Sequence, residues 1–149
     1  MNLLKSALNI ISPSSKPANM SSVQWIYKIF PHSSVDSRFT IPTPIPASHT
    51  FFLSELDYKD GFVHFSTSQQ VPKTLDRFFA DVPSVTVLRC ELGRLSAFKR
   101  VEWEGDGEKF PHLHAHLEGE NVDSFKYIHK EGKSWSSALE QQDIKTWLV

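Results

Sequence analysis

The stretch Asp60-Gly61-Phe62-Val63-His64-Phe65-Ser66-Thr67-Ser68-Gln69-Gln70 constrains the fold more than any other, because it runs a turn, a strand and a polar helix entrance together without a spacer. Asp60-Gly61 is a turn signal. Side chains alternate along a strand, so Phe62, His64 and Ser66 share one face and Val63 and Phe65 the other. A histidine therefore stands where a core residue would otherwise be expected. Downstream, Val71, Leu75, Phe78 and Phe79 fall at i, i+4, i+7 and i+8, the stripe of an amphipathic helix facing a core. Pro72 lacks an N–H and is tolerated only in a first turn, so the helix cannot cap much earlier than Gln69. Ser66-Thr67-Ser68 then links strand end to helix start and gathers hydroxyls and backbone N–H groups, a geometry suited to an anion such as phosphate. The competing reading is that these residues satisfy a helix terminus and that His64 is a hydrogen-bonded core histidine.

The 149 residues suit one compact domain, read here over residues 23–149. Residues 1–22 carry Lys5 and Lys16, many Ser and Pro, and no acid before Asp36, and they read as a disordered N-terminal extension. Their likeness to a mitochondrial targeting peptide is slight, since they hold no Arg, and Met20 is a candidate alternative start. Sixteen Lys and Arg against 17 Asp and Glu leave a net charge of -1, which argues against nucleic acid or an acidic membrane surface as partner. The lone Cys90 excludes an internal disulfide and fits a reducing, cytoplasmic setting. No apolar run approaches the length of a membrane span.

Trp25 to Phe30 alternates as a first strand, with Trp25, Tyr27 and Ile29 against Ile26, Lys28 and Phe30, and Pro31 is expected to end it. His32 to Thr50, with Pro42, Pro44 and Pro46, reads as a long extended loop, and Ser54 to Lys59 as a helical turn or irregular link. Val85 to Leu92 predicts a central strand, Gly93 a turn, and Phe98 to Trp103 a further strand carrying Arg100, Glu102 and Glu104 on one face. Gly105-Asp106-Gly107 predicts a turn, His112 to Leu117 a strand with three histidines on one side, and Val122 to His129 a last strand. Ser137 and Glu140 have capping-box spacing before a closing helix with Ile144, Trp147 and Leu148 on its apolar side. Strands and helices without regular alternation indicate an α+β domain.

Three clusters could carry chemistry. In the first, His64, Ser66 and Thr67 combine with Glu102 and Glu104: imidazole and hydroxyls suit ribose hydroxyls, and a carboxylate suits positive charge developing at an anomeric carbon. Glu102 and Glu104 also read as a solvated strand edge with Arg100. The second, His112, His114 and His116, offers three imidazoles to a divalent metal, which would make the protein a metal-dependent hydrolase, but same-face strand residues lie roughly 7 Å apart and the outer two can hardly share one ion. The third, Cys90, sits in a β-branched strand and reads as buried and inert.

Tyr27-Lys28-Ile29, Ser54-x-Leu-Asp57-x-x-Asp60-Gly-Phe-Val-His64-Phe-Ser66-Thr67-x-x-Gln70, Phe78-Phe79, Trp103-Glu104 and Phe110-Pro-His112-Leu together resemble the family called domain of unknown function 952. The resemblance runs from Trp25 to Leu117. It implies an ADP-ribosyltransferase-like fold, a single compact domain of split β-sheets with flanking helices, in a superfamily that also holds the RNA 2′-phosphotransferases, whose His-x-Ser element is similar to His64-Phe65-Ser66. It further implies NAD or an ADP-ribose or phosphorylated ribose compound in a cleft between the sheets. Tyr27, His64, Ser66, Thr67 and His112 would surround that ligand, with His64 and Glu104 as the catalytic pair. His114-Ala115 departs from the family's pattern, which continues Phe-Pro-His-Leu with Tyr-Gly. The functional expectations are thus an ADP-ribosyl transferase or NAD glycohydrolase acting at the ribose anomeric carbon, a non-catalytic nucleotide-binding or interaction module, or the metal hydrolase.

Overall fold

The computed structural model describes residues 22–149, so the extension read over residues 1–22, with Met20, lies outside the described residues save for Ser22. Two small antiparallel sheets and several helices make one mixed α/β domain. The first sheet has β1 (Trp25–Pro31), β3 (Ser84–Glu91) and β6 (Ser124–His129), with β3 in the centre. The second has β2 (Val63–His64), β4 (Val101–Glu104) and β5 (Phe110–Leu113), with β5 in the centre. An isolated bridge between Tyr27 and Ser66 joins the two, through Tyr27 N–H to Ser66 O at 2.8 Å and Ser66 N–H to Tyr27 O at 2.9 Å.

Alternation in β1 and β3 divides the interior in two. Ile26, Phe30, Leu88 and Cys90 face the second sheet and pack with Val63, Phe65, Trp103 and Leu113. Tyr27, Ile29, Val85 and Val87 face the other way, onto α2 (Val71–Phe78), α4 (Trp135–Leu139) and α5 (Gln142–Trp147). A sheet buried on both faces explains why β3 reads as a nearly continuous apolar run. The expected split of faces in β2 holds: Val63 and Phe65 are buried, whereas Phe62 and His64 are half-buried.

Several expectations need correcting. Gly93 does not turn the chain after β3; Leu92–Phe98 forms α3, which buries Leu92 and Leu95, and the next strand begins only at Val101. Phe78 is not part of the buried stripe of α2, which rests on Val71 and Leu75, because the helix ends there and turns Phe78 outward. The cap of the closing segment is Ser134, whose Oγ accepts the Ser137 N–H at 3.1 Å, and that segment is two short helices broken near Glu140. The histidine strand ends at Leu113, so His116 leaves the sheet and lies exposed. Pro31 is the last residue of β1 rather than the residue beyond it, tolerated because it sits at the strand's end.

Candidate functional site

A cleft of about 630 Å³ opens where the two sheets meet, within the roughly 300–1,000 Å³ typical of small-molecule sites. β1, β2 and α1 (Glu55–Asp60) border its inner end, and α2 with the β4–β5 turn borders its mouth. Local sequence builds the inner end. Ser54 caps α1 by accepting the Asp57 N–H at 3.1 Å. Gly61, at φ +81, takes the left-handed conformation that ends the helix and folds the chain back into β2. His64 thereby returns beside the helix it has just left.

Asp57 is the hub of this end. Its Oδ1 accepts the His64 backbone N–H at 3.1 Å and faces His64 Nδ1 at 2.6 Å. Its Oδ2 lies 2.5 Å from Lys28 Nζ, a contact of charge set off the direction of a hydrogen bond. Lys28 and Asp57 are almost sealed, with side chains 5% and 1% exposed. Burial alone would raise the Asp57 carboxyl; the His64 hydrogen bonds and the Lys28 charge outweigh it and hold the carboxyl below its usual range. The Lys28 ammonium is pulled down by burial, against the attraction of Asp57. His64 Nε2 meets Asp60 Oδ2 at 2.9 Å, so a carboxylate stands at each ring nitrogen, and a neutral ring can donate to only one of them.

Ser66 also lines the cleft. Its Oγ lies 2.9 Å from Thr74 Oγ1, and because Thr74 donates to Gln70 O at 3.1 Å, Ser66 donates to Thr74 and keeps its lone pairs free. Two of the N–H groups of the hydroxyl-rich link are already used, and Ser68 does not line the cleft, so the link does not form a phosphate cradle there. Ser66 N–H is used by Tyr27 O, and Thr67 N–H by Gln70 Oε1 at 3.0 Å. Thr67 is buried, accepts the Gln70 N–H, and is absent from the cleft wall. Tyr27 borders the cleft but is wholly buried, with its hydroxyl bonded to the backbone of Val149 at 2.9 Å and its ring edge-on to Trp147.

The second sheet places His112 opposite both His64 and Glu102, so three expected residues come into register on one face. Glu102 is taken by Arg100 at 2.6 Å. Glu104 is not part of the cleft wall; its Oε1 instead accepts from His112 Nδ1 at 2.8 Å and His114 Nε2 at 2.9 Å. Burial would raise the Glu104 carboxyl, but the two histidine hydrogen bonds lower it overall. Burial also lowers His112, partly offset by Glu104. Phe62 stacks on His112 with ring centres 4.2 Å apart and fixes that ring from the other side. His112 reaches the cleft; His114 and His116 do not, and among the described residues no group of three or more His, Cys, Asp or Glu is placed to hold a metal ion. Cys90 is fully buried, and burial pushes its thiol up to about 12.

Sequence reading missed the cations and rings of the mouth. Arg38, Lys73 and Arg77, with Phe39, Phe78 and Phe110, line it from three separate parts of the chain. Only the i, i+4 spacing of Lys73 and Arg77 on α2 was a signal in the sequence. Lys28 sat visibly on the Ile26–Phe30 face, yet its partner Asp57 belongs to a different element.

The fold and cleft define a split-sheet α/β domain with a polar inner site and an aromatic mouth of mixed charge, where Arg38, Lys73 and Arg77 stand among Asp36, Glu55, Asp106 and Glu108. The chain belongs to the family described as protein of unknown function (DUF952), which it matches over residues 44–125. It is similar to protein CC0527 from Caulobacter crescentus. The crystal structure of that protein gives a TM-score of 0.57 at 25% identity, covering 74% of this chain and 90% of that one. Its solution NMR structure gives 0.55 at 26% identity, over 72% and 87%. No curated protein matches the chain. No helix among the described residues is long and apolar enough to cross a membrane.

Proposed function

We propose that the cleft binds a phosphorylated ribose compound of the NAD or ADP-ribose kind, in line with the resemblance to ADP-ribosyltransferase-like proteins. The observation that carries this reading is the cleft's lining: imidazole and hydroxyl of His64 and Ser66 near one another, and exposed cations Lys73 and Arg77 with phenyl rings elsewhere on the same wall. His64 and Ser66 offer polar atoms to ribose hydroxyls, with Asp57 behind His64; Lys73 and Arg77 offer charge to phosphate; Phe78 and Phe110 offer faces to a flat base. His64, held by buried Asp57, is the residue best placed to contact ribose and move a proton. Glu104 takes the role of a positioning residue that acts through His112, since it stands behind that ring rather than at the ligand.

The test is calorimetric titration of the full chain with NAD, ADP-ribose and AMP, alongside measurement of nicotinamide released from NAD. Saturable binding that His64→Ala removes while the fold persists is the expected result. Nicotinamide release that follows His64 supports turnover at the anomeric carbon, whereas binding without release leaves a ligand-binding module. Absence of binding by all three compounds at millimolar concentration overturns the proposal.

A further inference from the structure

Resting on the reading that the cleft takes a nucleotide, we infer that Lys73 and Arg77 clamp its phosphoryl group and that Glu108 competes with that group for Lys73. Each other lysine or arginine lining the cleft already has a carboxylate. Lys28 holds Asp57, Arg38 Nη2 holds Asp36 at 2.6 Å, and Lys73 Nζ holds Glu108 at 2.6 Å. Arg77 alone has no ion-pair or hydrogen-bond partner among the described residues; its guanidinium lies 5.1 Å from the centre of the Phe78 ring. A guanidinium left unpaired on a cleft wall offers a planar fork of donors matched to phosphate oxygens.

Geometry places the second cation next to it. Lys73 and Arg77 are four residues apart on α2, hence on one stripe, one turn from each other. The one ammonium at the inner end, Lys28, is sealed against Asp57, whereas Lys73 and Arg77 are exposed on α2, so the phosphoryl group belongs at α2 with the ribose inward.

Lys73 is occupied but not committed. Its side chain is 64% exposed and that of Glu108 40%, and an ion pair so exposed is weak. Glu108 has a second anchor, Gln70 Nε2 at 3.1 Å, and Gln70 itself is tied to Lys109 O at 2.7 Å. Glu108 therefore keeps its place when Lys73 swings to a phosphate. A dianion with Arg77 beside it outcompetes a single carboxylate for the same ammonium.

The two roles predict opposite effects in titrations of the full chain with AMP, ADP-ribose and adenosine. Arg77→Gln weakens AMP and ADP-ribose about tenfold or more, the scale of a charge-assisted hydrogen bond, and leaves adenosine unchanged. Glu108→Gln, which keeps an acceptor for Gln70 and removes only the competing charge, tightens AMP and ADP-ribose by roughly threefold and again leaves adenosine unchanged. Both residues are exposed, so both variants fold. Equal loss of AMP and adenosine in Arg77→Gln, or weaker AMP binding in Glu108→Gln, refutes the clamp while the nucleotide reading survives. Failure of every probe to bind the unaltered chain overturns both.

Discussion

Asp57→Asn isolates the energetics of the inner site. The substitution keeps the size of the side chain and an oxygen for the His64 N–H, but it leaves the Lys28 ammonium in a space where its side chain is only 5% exposed, without its counter-charge. Breaking a buried pair on one side costs about 3–5 kcal/mol, a large share of the roughly 5–15 kcal/mol that holds a domain folded. At about 3–4 °C per kcal/mol for a chain of this size, the melting temperature falls by about 10–20 °C. Lys28→Met combined with Asp57→Asn removes the stranded charge and recovers to within about 1–2 kcal/mol of the unaltered chain, because apolar replacements of buried pairs are often neutral. Urea unfolding of the unaltered chain, Asp57→Asn, Lys28→Met and the double variant gives the coupling energy from midpoints and slopes, expected at about 2 kcal/mol or more. The same carboxyl sets a pH dependence. Its folded pKa is depressed, so its stabilisation is complete above its unfolded value of about 3.9 and is lost as pH falls through the folded value. Between about pH 5 and 3 the unaltered chain therefore loses stability more steeply than Asp57→Asn. A single variant less than about 1 kcal/mol below the unaltered chain, or a double variant no better than the single, refutes the account of Asp57 as the neutraliser of a sealed ammonium.

Phe65→Ala empties a fully packed site and costs about 3–5 kcal/mol, whereas His64→Ala, at the cleft wall, loses its hydrogen bond to Asp57 at about 1.5–3 kcal/mol and removes ligand binding; thermal unfolding with and without ADP-ribose separates the two. Equal losses would return His64 to the core. Glu104→Gln keeps an acceptor for His112 but removes the carboxylate charge that raises its pKa, so the His112 titration moves further down, read by NMR of its ring protons; an unmoved titration denies the positioning role. Cys90, sealed and with its thiol pushed up to about 12, gives no reaction with a thiol reagent at pH 8 in the native protein and one equivalent in urea; native reactivity would show that the core opens there.

What the sequence disclosed follows the range of the forces involved. Period-two alternation is local, so the faces of β1 and β2 and the central place of β3 could be read directly. The helix start at Pro72 was equally legible, since proline restricts its own turn. α3 escaped because Gly93 stands inside its first turn and its apolar face is just Leu92 and Leu95, too short a pattern to outweigh a turn signal. The Ser137–Glu140 spacing misled because Ser134, three residues before Ser137, offers the same capping chemistry. In the site, His64 and His112 were found from their positions on strands. Asp57, Arg38 and Arg77 were not, because their approach depends on how α1, the long loop and α2 pack around the strands. Glu104 was legible as a carboxylate beside the site, but whether it faced the ligand or a neighbouring histidine depended on the hairpin's register.

The Tyr27–Ser66 bridge gives the domain a seam. Among the described residues, one reciprocal pair of backbone hydrogen bonds ties the sheet carrying Lys28 to the sheet carrying His64 and His112. Amide hydrogen exchange at these two positions therefore reports on the parting of the sheets rather than on the fraying of either one. A ligand gripped by residues from both sides slows exchange at Tyr27 and Ser66 more than at neighbouring amides paired within a single sheet, so the seam works as an internal strain gauge for occupancy of the cleft.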